Sequence, residues 1–200
     1  CAAGCSIVTE HNQDTVYRLK PRENLHVNKW WMCDEGRYGW HHLHNETRIV
    51  EASHRDNEDP QAIEWADVLR RLPTDLTDAG RLGVAVSPML TVEEAWMLCS
   101  VARTIDPDAY LAVGHVPSTG ADESFPGGFT IRGEKAPNRI GVEMVLSMFG
   151  AVSEGGTVPA WNDLLEQVRA KTIQSAWVTA GYPTPERSWC DEATAATFEE

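Results

Sequence analysis

The apolar positions of this chain change rhythm near residue 60. Before it, apolar residues are sparse and keep neither a helical nor an alternating period for long. Short extended pieces are predicted at Ser6-Ile7-Val8-Thr9 and Thr15-Val16-Tyr17-Arg18-Leu19, with polar turn residues between them. Beyond it the pattern becomes regular. Asp59-Pro60 reads as an N-cap followed by proline in the first turn, and Ala62, Ile63, Ala66, Leu69 and Leu72 follow at helical spacing. Leu82-Gly83-Val84-Ala85-Val86 is a short unbroken apolar run, the pattern of a strand covered on both faces. Thr91 caps a helix carrying Val92, Ala95, Trp96, Leu98, Cys99, Ala102 and Ile105, with Glu93 and Glu94 in its first turn, where the helix dipole favours them. Ala109-Tyr110-Leu111-Ala112-Val113 reads as a second strand, which completes a right-handed βαβ unit.

A loop over residues 114–128, rich in Gly, Pro and Ser, is longer than ordinary connections and so either functional or mobile. Asn138 opens a helix through Val142, Val145, Leu146 and Phe149, and Gly155-Gly156 breaks the chain. Trp161, Leu164, Leu165, Val168 and Ile173 mark another helix, and Ala176-Trp177-Val178-Thr179-Ala180 a third strand. The tail after Pro183 shows no element. The fold class is α/β: a small, irregular, strand-containing domain over residues 1–50, then a partial doubly wound α/β domain over residues 59–200.

Composition narrows the function. A length of 200 residues with 42% hydrophobic content suffices for one full domain and an appendage. No apolar run nears the roughly 20 residues of a spanning helix, so no direct membrane span is expected and a cytoplasmic location is the reading. A net charge of −13 argues against a nucleic-acid partner, because phosphate backbones are met by clustered Lys and Arg. The chain opens on Cys1 with no leader pattern, as a processed chain or an internal piece of a longer one would.

The cysteines carry the chemistry. Cys1 and Cys5 have three residues between them, and Cys33 follows after 27 more, in a segment too poor in core residues to stand without a staple. Thiolates so spaced can wrap one soft metal centre, a close pair on a loop and a distant ligand closing the site. Zinc sites ordinarily use two close pairs, and only one is present. A disulfide is a third option, disfavoured by the lack of a secretion signal. Spacing alone leaves these open.

The flanking residues discriminate. Cys1-Ala-Ala-Gly-Cys5-Ser-Ile, then Val16-Tyr17-Arg18-Leu19, Val27-Asn28 and Trp31-Met32-Cys33-Asp34-Glu35-Gly36-Arg37-Tyr38 together resemble the four-iron four-sulfur segment at the front of molybdopterin-type oxidoreductase large subunits. Within that superfamily the chain is most similar to the iron–sulfur G-subunit family of NADH-quinone oxidoreductases, with its relatives in NAD-linked dehydrogenases and hydrogenases. The segment from Phe129 to Glu143, with Gly133-Glu134-Lys135-Ala136-Pro137-Asn138, resembles it less specifically. The resemblance implies a [4Fe-4S] cluster on Cys1, Cys5 and Cys33 as second, third and fourth ligands, the first lying before Cys1. It also implies an electron-transfer role without an active site of its own, in a complex with an NADH-binding flavoprotein and other iron–sulfur subunits, at the inner face of a membrane.

Around such a cluster, Gly4 would let the backbone approach, Gly36 would turn N–H groups towards sulfur, and Arg37 would offset thiolate charge or pair with Asp34 or Glu35. Trp30, Trp31 and Met32 would screen it from water. Pterin-carrying members usually place Lys before the glycine that follows the fourth cysteine. Here that residue is Glu35, and no residue offers itself as a molybdenum ligand, so molybdopterin is expected to be absent. The alternatives are a molybdopterin enzyme such as a formate dehydrogenase, and a structural zinc or thiol module that moves no electrons.

Other signals are weaker. His41, His42 and His44 read as a solvated loop, and nothing compels His26 towards a metal. Cys99 and Cys190 read as small packing residues. The loop after residue 113 sits where α/β sheets bind ligands, yet lacks a phosphate-binding pattern. Glu134-Lys135 reads as surface or interdomain ion pairing rather than an acid–base couple.

Overall fold

The sparse first segment folds locally, by turns and side-chain hydrogen bonds. The computed structural model describes residues 1–46, 48–55, 59–153, 155–180, 182 and 190–199. Strands β1 (Ile7–Asn12) and β2 (Thr15–Pro21) form an antiparallel hairpin. Its two turn residues, Gln13 and Asp14, both take positive φ (46° and 61°), the twist that two-residue hairpins require. Cys33 then caps a short helix, α1 (Asp34–Tyr38), which runs on into a 3-10 turn over Gly39–His44. A two-residue pairing of β3 (Ser53–His54) with β4 (Gln61–Ala62) follows.

This pairing corrects the expected helix start. Gln61 and Ala62 are extended, Glu64 is the N-cap, and α2 runs over Trp65–Asp78, straight through Pro73. Its stripe is not a core stripe: Trp65 is 62% and Leu69 68% exposed, and no residue of α2 is buried. Helical spacing was enough to form the helix, which meets the core through the partly buried Leu76 rather than through a fully buried stripe.

The core begins at β5 (Leu82–Val86), buried at all five positions as its unbroken apolar run predicts. Thr91 caps α3 (Val92–Ile105) in a full capping box: its hydroxyl accepts from the Glu94 N–H, and the Glu94 carboxylate accepts from the Thr91 N–H. Next come β6 (Tyr110–Val113), a hairpin of β7 (Glu123–Phe125) and β8 (Phe129–Ile131), and α4 (Arg139–Met148). The chain then forms α5 (Trp161–Arg169), β9 (Ser175–Val178) and α6 (Glu192–Glu199). β5 lies between β6 and β9, and all three run parallel.

Helices cover this sheet on both faces. Leu82, Val84 and Val86 pack with Leu98, Cys99, Val142 and Leu146 of α3 and α4. Ala85 and Ala112 point the other way, towards Trp161, Leu164 and Leu165 of α5. Ile173, expected in that helix, lies beyond its end and fills the same cluster. The strand is tight at Gly83: a Cβ there would stand 2.8 Å from Ile173 Cδ1 and 2.9 Å from Leu164 Cδ1. Gly83→Ala is therefore expected to cost about 1–3 kcal/mol by overpacking, read as a lower denaturant midpoint at unchanged m-value. A midpoint equal to wild type would show that Ile173 and Leu164 give way freely.

Elements beyond residue 113 also escaped the sequence pattern. The expected loop holds the β7–β8 hairpin, and α6 occupies the tail, where residues 183–189 lie outside the described set. The loop is neither featureless nor idle. Its legs pair at Thr119 N–H to Gly133 O (2.8 Å) and Lys135 N–H to Pro117 O (2.8 Å), and the Asp122 carboxylate accepts from Gly133 N–H and Arg132. It then grips the first segment: Ala2 N–H donates to Glu134 O, Lys29 Nζ to Gly127 O, and Trp31 meets Phe129 edge-on at 4.4 Å.

Candidate functional site

Cys1, Cys5 and Cys33 line one cavity of about 580 Å³, between the first segment and the loop that grips it. Cys5 follows Gly4, whose φ of +69° suits glycine, and Gly4 also lies on the cavity wall. Cys33 is held from both sides. Its Sγ accepts from the Gly36 N–H at 3.3 Å, and Met32 beside it is 4% exposed. Asn28 ties the two cysteine segments together: its Oδ1 accepts from Ser6 N–H (3.0 Å) and its Nδ2 donates to Trp31 O (2.9 Å) and Arg22 O (3.2 Å).

Burial pushes the Cys5 thiol above its ordinary range, and the neighbouring Cys33 adds to the rise. Binding a metal there would release protons, since thiolates are the ligands. Among the described residues, no group of three or more His, Cys, Asp and Glu side chains is arranged to hold a metal ion.

The other residues expected around the cysteines divide. Gly36 directs its N–H at the Cys33 sulfur. Arg37 does not line the cavity; Lys135 is the cation on its wall, and its Nζ donates to Glu35 Oε2 at 2.7 Å. Met32 is on the wall, but Trp30 and Trp31 are not. Trp31 packs on Phe125 and Phe129, Trp30 is 71% exposed, and both face a separate cavity of about 430 Å³ against the β7–β8 turn. Trp31, close in sequence to Cys33, packs instead on the apolar residues of the hairpin.

Trp40, His42, Met89 and Pro137 also line the cavity and were not foreseen. His42 Nδ1 lies 2.7 Å from Gly39 O, whereas His44 Nε2 accepts from Val16 N–H, so the histidine group is split by the 3-10 turn rather than pooled. His26 is exposed and off the cavity. Cys99 is fully buried against the sheet, its thiol pushed up to about 11 by burial, and Cys190 is half-buried ahead of α6. Glu134 and Lys135 do not pair with each other: Glu134 and Glu143 both hold Arg139, while Lys135 reaches across to Glu35.

Among the described residues, no helix is long and apolar enough to cross a membrane. No family model matches the chain. It is 30% identical over 105 residues to the G-subunit of the NADH-quinone oxidoreductase of Streptomyces coelicolor, a match covering 52% of this chain and 12% of that protein. It is 31% identical over 108 residues to the subunit of the same name from Mycobacterium bovis, covering 52% and 13%. A Staphylococcus aureus protein provisionally named a formate dehydrogenase is 22% identical over 111 residues, covering 52% and 11%. The matched stretch thus spans about an eighth of these relatives. Over about half its length, this chain is a homologue of the G-subunits of NADH-quinone oxidoreductases and of proteins provisionally named formate dehydrogenases.

Proposed function

We propose that the cavity of Cys1, Cys5 and Cys33 holds a [4Fe-4S] cluster, with a further ligand from outside residues 1–200, and that the chain passes electrons within an oxidoreductase complex. The observation that carries this reading is the shared cavity: cysteines separated by 27 residues of sequence open onto one space. One close pair of cysteines and one distant cysteine suit a polynuclear centre, in which each thiolate takes a different iron, better than a lone zinc, whose sites ordinarily use two close pairs. The homology to subunits of NADH-quinone oxidoreductases supports the oxidoreductase setting.

When bound, the cluster supplies one-electron transfer at a potential set by hydrogen bonds to sulfur, burial and nearby charge. The chain's own contribution is to hold the thiols. The Gly36 N–H steadies Cys33 sulfur, Gly4 admits backbone beside Cys5, and Met32 keeps one wall apolar. Electrons would arrive from NADH by way of a separate flavoprotein and other iron–sulfur subunits, in a cytoplasmic assembly at the inner face of a membrane. The α/β part, on this reading, carries no molybdopterin and no active site of its own, because Glu35 puts a carboxylate where pterin-carrying relatives have an ammonium.

Analysis of the full-length protein, with the segment that supplies the further ligand, for iron, acid-labile sulfide, zinc and molybdenum tests the proposal. The expected result is about four irons and four sulfides for this module, with an EPR signal on reduction. Zinc without visible absorption overturns it. The match to a provisionally named formate dehydrogenase favours a second reading, a molybdopterin enzyme, and stoichiometric molybdenum or tungsten would establish that instead.

A further inference from the structure

We propose that Lys135 is a positioning residue for the redox centre, setting through Glu35 both the seat of Cys33 and the charge that the centre meets; this rests on the cavity being an iron–sulfur site. The Lys135 side chain is only 7% exposed, unusual for a lysine. Its Nζ donates to Glu35 Oε2 (2.7 Å) and Arg132 O (2.8 Å), and its backbone N–H is held by Pro117 O. Glu35 lies in α1 between the cap, Cys33, and Gly36, whose N–H meets the Cys33 sulfur. Lys135 and Glu35 both line the cavity with the three cysteines. An ammonium delivered from 100 residues away therefore clamps the turn that presents one thiol.

Charges removed from water act strongly on their neighbours. An iron–sulfur centre becomes more negative on taking up one electron, so a nearby ammonium favours its reduced form and a nearby carboxylate disfavours it. In the intact pair the two effects partly cancel. Neutralising Lys135 removes a positive charge and neutralising Glu35 a negative one, so the two single variants must move the potential in opposite directions. A clamp that acted by shape alone would disturb the same turn in both variants and move the potential the same way.

The test is a redox titration, followed by EPR, of the full-length protein, with the segment that supplies the further ligand, reconstituted with ferrous iron and sulfide. Lys135→Gln is expected to lower the reduced-to-oxidised ratio at a fixed poise about tenfold, a shift of about 59 mV for one electron. Glu35→Gln should raise it by a similar factor, and the double variant should lie between them. Shifts of the same sign, or none, with the cluster intact overturn the assignment of Lys135 alone. Wild-type protein that takes up no cluster overturns both this and the cluster reading. Should Lys135→Gln fail to take up iron, Lys135→Arg and Glu35→Gln decide. Arginine at wild-type potential with glutamine raised supports the proposal, and Glu35→Gln unchanged or lowered overturns it.

Discussion

With the proposed cluster in this cavity, Cys33→Ser is expected to strip its iron while leaving the chain folded. Serine keeps the size of the side chain, and a serine at an N-cap is among the best acceptors for the first-turn N–H groups. The Gly36 N–H that now meets sulfur at 3.3 Å would meet a hydroxyl instead, so α1 keeps its cap. The folding free energy should therefore change by no more than about 1 kcal/mol, the scale of a cap exchange. The metal is treated differently. Iron in a cluster selects soft thiolate ligands, and a neutral hydroxyl in a site that is 6% exposed is a poor replacement. Cys99→Ser should show the reverse pattern. Cys99 is fully buried among Leu98, Val142 and their neighbours, so a hydroxyl there costs about 1–3 kcal/mol while iron content stays at the wild-type value. Iron and sulfide per chain, measured beside urea unfolding, give both halves of this comparison. A Cys33→Ser protein that keeps its full iron and its EPR signal would remove Cys33 from the ligand set.

The contrast between the two cysteines shows what the sequence could and could not reveal. Cys99 was legible because α3 has a period, a capping threonine and an apolar stripe, and β5 is an apolar run with no polar break. Such features are local: they persist whatever the rest of the chain does. The near wall of the cavity was legible for another reason, the resemblance of residues 1–40 to a known segment. The far wall was not. Lys135, Met89 and Pro137 reach the cavity only because the loop after β6 folds back on itself at Asp122 and grips the first segment. No periodicity encodes which loop crosses which, and Glu134-Lys135 reads as surface or interdomain ion pairing with no partner named until Glu35 is brought opposite Lys135. The tryptophans fail in the same way. Adjacency to Cys33 suggested a shield, yet the larger apolar partner for Trp31 lay in Phe125 and Phe129, about a hundred residues on. At α2 the error ran the other way: the spacing was helical, but Asp59-Pro60 served a short extended pairing and the stripe stayed exposed.

Asn28→Ala is expected to destabilise the chain by about 3 kcal/mol and to impair iron uptake together with it. Asn28 is 1% exposed, and the shortest contacts of its amide are to backbone groups that belong to no strand pairing: Ser6 N–H, Arg22 O and Trp31 O. Alanine leaves all three, which are part-buried, without that partner, and each lost hydrogen bond costs about 1 kcal/mol. The loss is not confined to stability. Ser6 directly follows Cys5, and Trp31 stands two residues before Cys33, so the one amide fixes the spacing of two thiols at once. Asn28→Asp separates geometry from hydrogen bonding. It has the same shape and can still accept from Ser6 N–H, but when ionised it turns an acceptor towards two carbonyls. At neutral pH it should be as damaging as alanine. Protonation restores a donor in the folded state, so the carboxyl has a higher pKa folded than unfolded, and its stability deficit shrinks as pH falls. The gap in unfolding free energy between the aspartate and alanine variants should accordingly widen in favour of aspartate from neutral pH towards pH values near the ordinary carboxyl range. Parallel pH profiles for the two variants, or an alanine variant within about 0.5 kcal/mol of wild type, would show that the three backbone groups find other partners and that the cysteine segments are aligned by something other than Asn28.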